Sequence, residues 1–302
     1  MAASAPRRLA WLALAALGLV MMLGNVVSAT GSGLGCPDWP LCHGRFIPPG
    51  GTEIWIEFRH RLAVPLFSAL LIATAIVTLR RAEARALRCV AGALLALLGV
   101  QIFLGGITVK LGLSAPVSTV HLLTALTIMA GLLTIAAGGP DLARSEPKLA
   151  RLAGAGLPLL LAQLALGGYV RHTSAGLACP DFPLCSGDVL PGAGPPLAHW
   201  MHRWLGVLLL GLFLHVAMAS RRTPLAGVGA ALGALAALQV ALGVAAVLMR
   251  LPVPVRAAHA AGGYALWGLL VWLALRTGVW RPRAAPQEER ESAGSRGPVR
   301  SR

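Results

Sequence analysis

The sequence predicts an all-α polytopic membrane protein, with eight transmembrane helices arranged as two pseudo-symmetric four-helix bundles. Three observations predict it. Of 302 residues, 56% are hydrophobic and only 12% charged, less polar surface than a soluble domain of this length carries. Eight apolar stretches, roughly 9–29, 58–79, 88–109, 117–138, 150–170, 199–219, 225–249 and 257–276, reach the ~20 residues that a helix needs to cross the hydrocarbon. They are continuous and rich in Leu and Ala, unlike the ~10-residue alternating segments of a membrane β-barrel. Third, the chain repeats itself.

The run Thr30-Gly31-Ser32-Gly33-Leu34-Gly35-Cys36-Pro37-Asp38-Trp39-Pro40-Leu41-Cys42 recurs as Thr173-Ser174-Ala175-Gly176-Leu177-Ala178-Cys179-Pro180-Asp181-Phe182-Pro183-Leu184-Cys185, 143 residues later. His60-Arg61 recurs as His202-Arg203 at an offset of 142. Gln101-x-x-x-Gly105 recurs as Gln239-x-x-x-Gly243, Pro116 as Pro254 and His121 as His259, all at 138. A fixed self-similarity decides architecture. Each copy holds an even number of helices, so the copies point the same way, as a parallel repeat. The expected units are 1–140, 141–280 and a basic tail over 281–302.

The first stretch follows Arg7-Arg8 and ends at Val27-Ser28-Ala29, a pattern shared with signal peptides. Its run exceeds the ~7–15 residues of a typical apolar signal core and has a counterpart at 150–170, so a retained helix is expected. The second and sixth stretches follow short Cys/Pro loops and open on His60 and His202. The third and seventh carry the Gln-x-x-x-Gly pattern. The fourth and eighth open on His121 and His259. From Pro282 the tail is rich in Arg, Pro, Ser and Glu without apolar period, a composition that stays disordered.

A net charge of +15 suggests nucleic acid, but its distribution argues for a bilayer. With the N-terminus in the cytoplasm, 18 of the 26 basic residues fall inside. That positive-inside bias orients the chain, with both termini cytoplasmic in the plasma membrane of a prokaryote. Trp39, Trp55, Trp200 and Trp204 then lie near the outer boundary, where an aromatic belt is expected.

In this orientation His60, His121, His202 and His259 all lie in the first turns at the outer ends of parallel helices. Ionisable side chains inside a membrane are costly and mark function. Two facing imidazoles per bundle suit the axial ligation of one haem iron, as in b-type cytochromes; a small dication wants three or four close ligands. His43 and His172 are expected to be solvated in outer loops, and His215 to pack or face the inner boundary. Arg61 and Arg203 follow the ligand candidates directly. They suit either bidentate pairing with haem carboxylates or ordinary snorkelling. Arg171, Lys110 and Arg256 lie near the same face.

Cys36 with Cys42, and Cys179 with Cys185, share C-x5-C spacing. An outer compartment permits disulfides; a redox-active thiol pair is the alternative. Cys42-His43 lacks the upstream cysteine of a C-x-x-C-H haem attachment site. Cys89 reads as a packing residue.

The copies differ at one telling place. Glu57 lies three residues before His60, on the same helical face, and its counterpart is His199. A carboxylate beside one site only suits proton chemistry; an i,i+4 ion pair with Arg61 is the plain alternative.

Together, the Thr30–Cys42 motif and its repeat, Glu57-x-x-His60-Arg61, His121, His202-Arg203 and His259 resemble the haem A synthase family, over about residues 9 to 276. The resemblance implies eight helices in two pseudo-symmetric bundles and disulfides in the outer loops. It implies a haem b cofactor on His202 and His259, and haem O handled near His60 and His121 with Glu57 in the reaction. The implied chemistry oxidises the porphyrin C8 methyl to formyl by two hydroxylations and loss of water. An electron acceptor, such as quinone, and contact with a haem O synthase or a terminal oxidase would follow. Ser28 stands where the second copy has Arg171, a departure from the basic residue that the family often carries. Two rival functions use the same histidines: a di-haem cytochrome b exchanging electrons with quinone, and a haem transporter or chaperone.

Overall fold

The computed structural model describes residues 4–139 and 146–279. The expected boundary at 140 and the tail over 281–302 lie outside them. Eight helices follow one another: α1 (Ser4–Thr30), α2 (Thr52–Arg81), α3 (Arg85–Lys110), α4 (Ala115–Ala137), α5 (Pro147–His172), α6 (Pro195–Ser220), α7 (Ala226–Leu248) and α8 (Val253–Thr277). All eight are long and apolar enough to cross a membrane. The chain is an all-helical, multi-pass membrane protein.

Local chemistry sets the helix ends. Prolines occupy the first turn of α4, α5, α6 and α8, where a missing N–H costs nothing. Gly138 and Gly278 close α4 and α8 in the left-handed conformation, with φ of 84° and 80°, the usual role of glycine at that position. Pro65 and Pro158 sit inside α2 and α5, as neighbouring helices permit in membrane proteins.

The helices run past the apolar stretches. α2 starts at Thr52 and α6 at Pro195, so His60 and His202 lie about two turns inside their helices rather than at the entrance. The added turns are built from residues that grip the preceding loop, a signal that hydropathy alone does not carry.

α1 packs on α2, α4 and α8; α5 packs on α6, α8 and α4; α4 meets α8. Leu126, Ile128 and Leu132 of α4 and Leu270, Leu273 and Ala274 of α8 are fully buried there. Trp267 Nε1 of α8 donates to the Leu126 carbonyl of α4 at 2.8 Å. Nearer the loops, buried Asn25 of α1 stitches three helices together. Arg171 of α5 donates to its Oδ1 and its carbonyl, both at 2.7 Å, and its Nδ2 donates to the Ala257 carbonyl of α8 at 2.7 Å. Arg256 of α8 donates to the Ala29 carbonyl of α1, also at 2.7 Å.

Both expected cysteine pairs are disulfides: Cys36–Cys42 and Cys179–Cys185, with Cα separations of 4.7 and 4.4 Å. Each loop repeats the same internal bonds. The Asp38 carboxylate accepts from the His43 and Gly44 amides at 2.6 and 2.7 Å. That of Asp181 accepts from Ser186 and Gly187 at 2.7 and 3.1 Å. The first loop rests on α3, where a methyl group on Gly106 would meet the Trp39 indole at 3.2 Å. The second copy carries the smaller Phe182 and the larger Val244 at the equivalent places.

Replacing Gly106 with Val should therefore unseat Trp39. The expected cost is the ~1–3 kcal/mol of an overpacked contact, with red-shifted tryptophan emission. Thermal unfolding in detergent reads the cost, and an unchanged midpoint and spectrum would show that the loop does not depend on this seat.

Candidate functional site

At the loop end of the bundle, each disulfide loop is bolted to the helix that follows it. In the first copy, Glu57 is 3% exposed. Its Oε2 accepts from the Cys36 amide at 2.8 Å, and its Oε1 accepts from Arg61 Nε at 3.1 Å. Arg61 also donates to the carbonyls of Asp38, Leu41 and Cys36, at 2.6, 2.7 and 2.7 Å. In the second copy, the Cys179 amide donates to His199 Nδ1 at 3.3 Å and Arg203 Nε to His199 Nε2 at 3.2 Å. Arg203 donates to the carbonyls of Asp181, Leu184 and Cys179. A neutral imidazole has only one acceptor nitrogen, so His199 satisfies one of its two donors where Glu57 satisfies both.

This clamp redirects three expectations. The guanidiniums of Arg61 and Arg203 point into the loops, and two donor nitrogens of Arg171 are spent on Asn25. The spacing of Arg61 and Arg203 next to His60 and His202 suggested carboxylate contacts, but a helix turns ~100° per residue and sends adjacent side chains to different neighbours.

One turn further in lie the four histidines, each against a glycine of an adjacent odd-numbered helix. A methyl group on Gly24 of α1 would lie 2.9 Å from His60 Cε1, and one on Gly167 of α5 would lie 2.9 Å from His202 Cε1. On Gly105 of α3 it would lie 3.4 Å from His121 Cε1, and on Gly243 of α7 3.3 Å from His259 Cε1. Real side-chain carbons are not found that close, so the bare backbone is what admits the rings. Each glycine also bares the carbonyl four residues before it. His60 Nδ1 lies 3.0 Å from the Val20 carbonyl, and Gln101, Gln163 and Gln239 hold the equivalent chain positions for the rings of His121, His202 and His259. Their Nδ1 atoms are buried without a closed hydrogen bond. Gln101 Nε2 also lies 3.4 Å from His121 Nε2.

This donor set fits a haem. The His202 and His259 ring centres are 6.2 Å apart, with planes at 80°. Two imidazoles on opposite sides of one metal, with bonds of about 2.0 Å, have centres about 6 Å apart. A ring nitrogen turned to a carbonyl is the usual outer partner of a metal-bound histidine. Among the described residues no three His, Cys, Asp or Glu side chains converge on a bare ion. The Cε1 distances of the cradles in α1–α4 match those in α5–α8 to within about 0.1 Å.

Other residues depart from expectation. His172 is half-buried in the last turn of α5, not in a loop. His43 is exposed in its loop and its ring bonds the Gly35 carbonyl at 2.9 Å. Cys89 is a free, exposed thiol, and His215 is exposed as well. Both lie on outward faces of spanning helices.

Residues 7–271 match the family described as cytochrome oxidase assembly protein. The chain belongs to this family. It is 36% identical to the haem A synthase of Alkalihalophilus pseudofirmus over 214 residues, 66% of this chain and 71% of that protein. It is 29% identical to the haem A synthase of Bacillus licheniformis over 279 residues, covering 87% and 92%. With that of Geobacillus kaustophilus the identity is 30% over 317 aligned positions, covering 97% and 98%. The family match spans all four histidines, their glycines and both disulfide loops.

The cradle makes a sharp demand on the family's glycines. Gly167→Val should displace His202 and abolish the absorption of a haem bound there, while helix content by circular dichroism stays unchanged. Retained absorption would show that the ring does not need the bare backbone.

The loop aspartates set an acid limit. The Gly44 amide, then that of His43, hold the Asp38 carboxyl below its ordinary 3.8, and the Ser186 and Gly187 amides do the same for Asp181. For a depressed carboxyl, the stabilisation is complete above the unfolded value and lost as pH falls through the folded one. Both loops should thus resist proteolysis down to about pH 4 and loosen below it. The Asp38→Asn, Asp181→Asn double variant should lose that acid-dependent step, and a step of the same size in the variant would place its origin elsewhere.

Proposed function

We propose that this chain is a haem A synthase: an enzyme that takes haem O and oxidises its C8 methyl group to formyl. The observation that carries this is the His202–His259 pair, spaced for a porphyrin, repeated by a second glycine-cradled pair, His60 and His121, in a chain of this family. His60 and His121 hold haem O as substrate among α1–α4. His202 and His259 hold a haem b cofactor among α5–α8, and that cofactor, when bound, supplies a one-electron relay for the oxidation. Residues 1–140 form the substrate unit and 141–280 the cofactor unit.

Glu57 is the chain's own chemical contribution. It lies one turn from His60 on the same face of α2, and two donors fix its carboxylate. In this role it stabilises positive charge developing on the substrate methyl carbon, or accepts a proton from water there. Two successive hydroxylations give a geminal diol, which loses water to the aldehyde. The disulfide loop, anchored through the same Glu57 and Arg61, covers the site and limits water. The distribution of basic residues supports loops on the outer side of a prokaryotic plasma membrane. A quinone as final electron acceptor, and a haem O synthase or terminal oxidase as neighbour, are the partners such chemistry calls for.

The near-identity of the two cradles favours a second reading, a di-haem b-type cytochrome. Haems extracted from cells that make haem O, with and without this chain, separate the two by liquid chromatography with mass detection. Haem A should appear only with the chain; haem O and haem b without haem A would leave the electron carrier. Glu57→Gln should lower haem A by on the order of 10²-fold with haem b absorption retained. Undiminished haem A beside normal haem b would remove Glu57 from the chemistry.

A further inference from the structure

The two histidine sites share their ligand pattern but not their surrounding charge. Where α5 and α8 carry Arg171 and Arg256, the first copy has Ser28 and Ser118. Arg61 has a carboxylate partner in Glu57, the one ion pair among the described residues. Arg203 has no ion-pair partner among the described residues: it bonds the His199 ring and loop carbonyls and lies 5.9 Å from the Phe182 ring centre.

Arg171 and Arg256 are half-buried. All their bonds go to uncharged acceptors on α1, and the Nε of each is buried without a partner. The carbonyls they hold, of Asn25 and Ala29, are one helical turn apart, so the two guanidiniums lie about 6 Å from each other along α1. Two such cations with no carboxylate in range are expensive to keep in a membrane interior. Arg256 precedes His259 by one turn on the same face, and Arg171 is tied to the same turn of α8 through Asn25, whose Nδ2 donates to the Ala257 carbonyl. The loop-end cations peculiar to the first copy, Arg45, Arg59 and Lys110, are exposed and screened by solvent and salt.

We propose that Arg171 and Arg256 make the haem site of His202 and His259 the more oxidising of the two, so that an electron rests there in preference to the site of His60 and His121. This inference rests on reading the four histidines as haem ligands. Adding an electron to a haem lowers its charge by one, and nearby fixed cations stabilise that form. Carboxylates carried by the porphyrins themselves occur at both sites and largely cancel in the comparison. The orientation is the useful one for an oxidation at the first site.

The test is a spectroscopic redox titration in a His121→Ala background, where only the second site retains both ligands. Arg171→Gln and Arg256→Gln should each shift the midpoint downward, and the double variant further, while Lys at either position should restore most of the shift. As a converse that does not depend on those variants folding, Ser118→Arg in a His259→Ala background should shift the first site's midpoint upward. Unchanged midpoints with normal haem content would overturn the inference and leave the ligand assignment standing. Full haem content in a protein lacking both His202 and His121 would overturn the ligand assignment itself, and the inference with it.

Discussion

The approach of an imidazole to a bare helix backbone is the contact on which the site depends. A helix normally shields its carbonyls with the side chain one turn on, and a Cβ at Gly24, Gly105, Gly167 or Gly243 would occupy the space of a histidine ring. Without that carbon the ring reaches the carbonyl four residues earlier, as His60 does with Val20 at 3.0 Å. The glycine thus sets both the depth and the rotation of the ring, and at His60 leaves the other nitrogen free to face a metal. Glycine lowers helix propensity by about 1 kcal/mol, a cost that a membrane helix tolerates because its backbone bonds have no competing water.

The clamp around Glu57 and Arg61 is the second constraint, and it explains why α2 and α6 begin where they do. Thr52, Glu53 and Glu57 would not extend an apolar span on hydropathy grounds. They are helical because Glu57 receives the Cys36 amide and Arg61 caps three loop carbonyls. The disulfide then keeps those carbonyls together as one target. Loop, helix start and histidine form a single rigid unit, with His60 one residue from the arginine and one turn from the carboxylate.

Much of this was legible in the chain. The eight spans, the repeat, the cysteine pairs and the four histidines follow from composition, period and spacing, because each is a one-dimensional signal. Gln101-x-x-x-Gly105 and Gln239-x-x-x-Gly243 were visible as a repeat, but their meaning was not: a gap of four on one helix says nothing about the ring that another helix brings to it. Val20-x-x-x-Gly24 and Gln163-x-x-x-Gly167 are the matching pair, hidden because Val20 and Gln163 differ. The arginines' partners within the protein were hidden for a related reason. Adjacency of Arg61 to His60 suggested a shared ligand, whereas the helical rotation sends one to the loop and the other into the bundle. His172 looked like loop sequence because its helix outlasts the apolar run.

A duplicated frame also makes its exceptions informative. Where both copies keep a feature, packing or ligation requires it twice, as with the glycines, the disulfides and the aspartates that tie each loop. Where they diverge, the shared frame removes architecture as the cause. Glu57 and His199 occupy the same clamp and receive the same two donors, yet only the carboxylate accepts both. The loop is therefore better held in the first copy, and a fixed negative charge stands beside His60 alone. Ser28 and Ser118 stand opposite Arg171 and Arg256, so buried positive charge gathers toward His259. These substitutions point the same way: positive charge is neutralised by Glu57 in the first copy and left unpaired in the second, across a seam joined by Asn25. Two sites with matching ligands become unequal through a few side chains that touch neither ring.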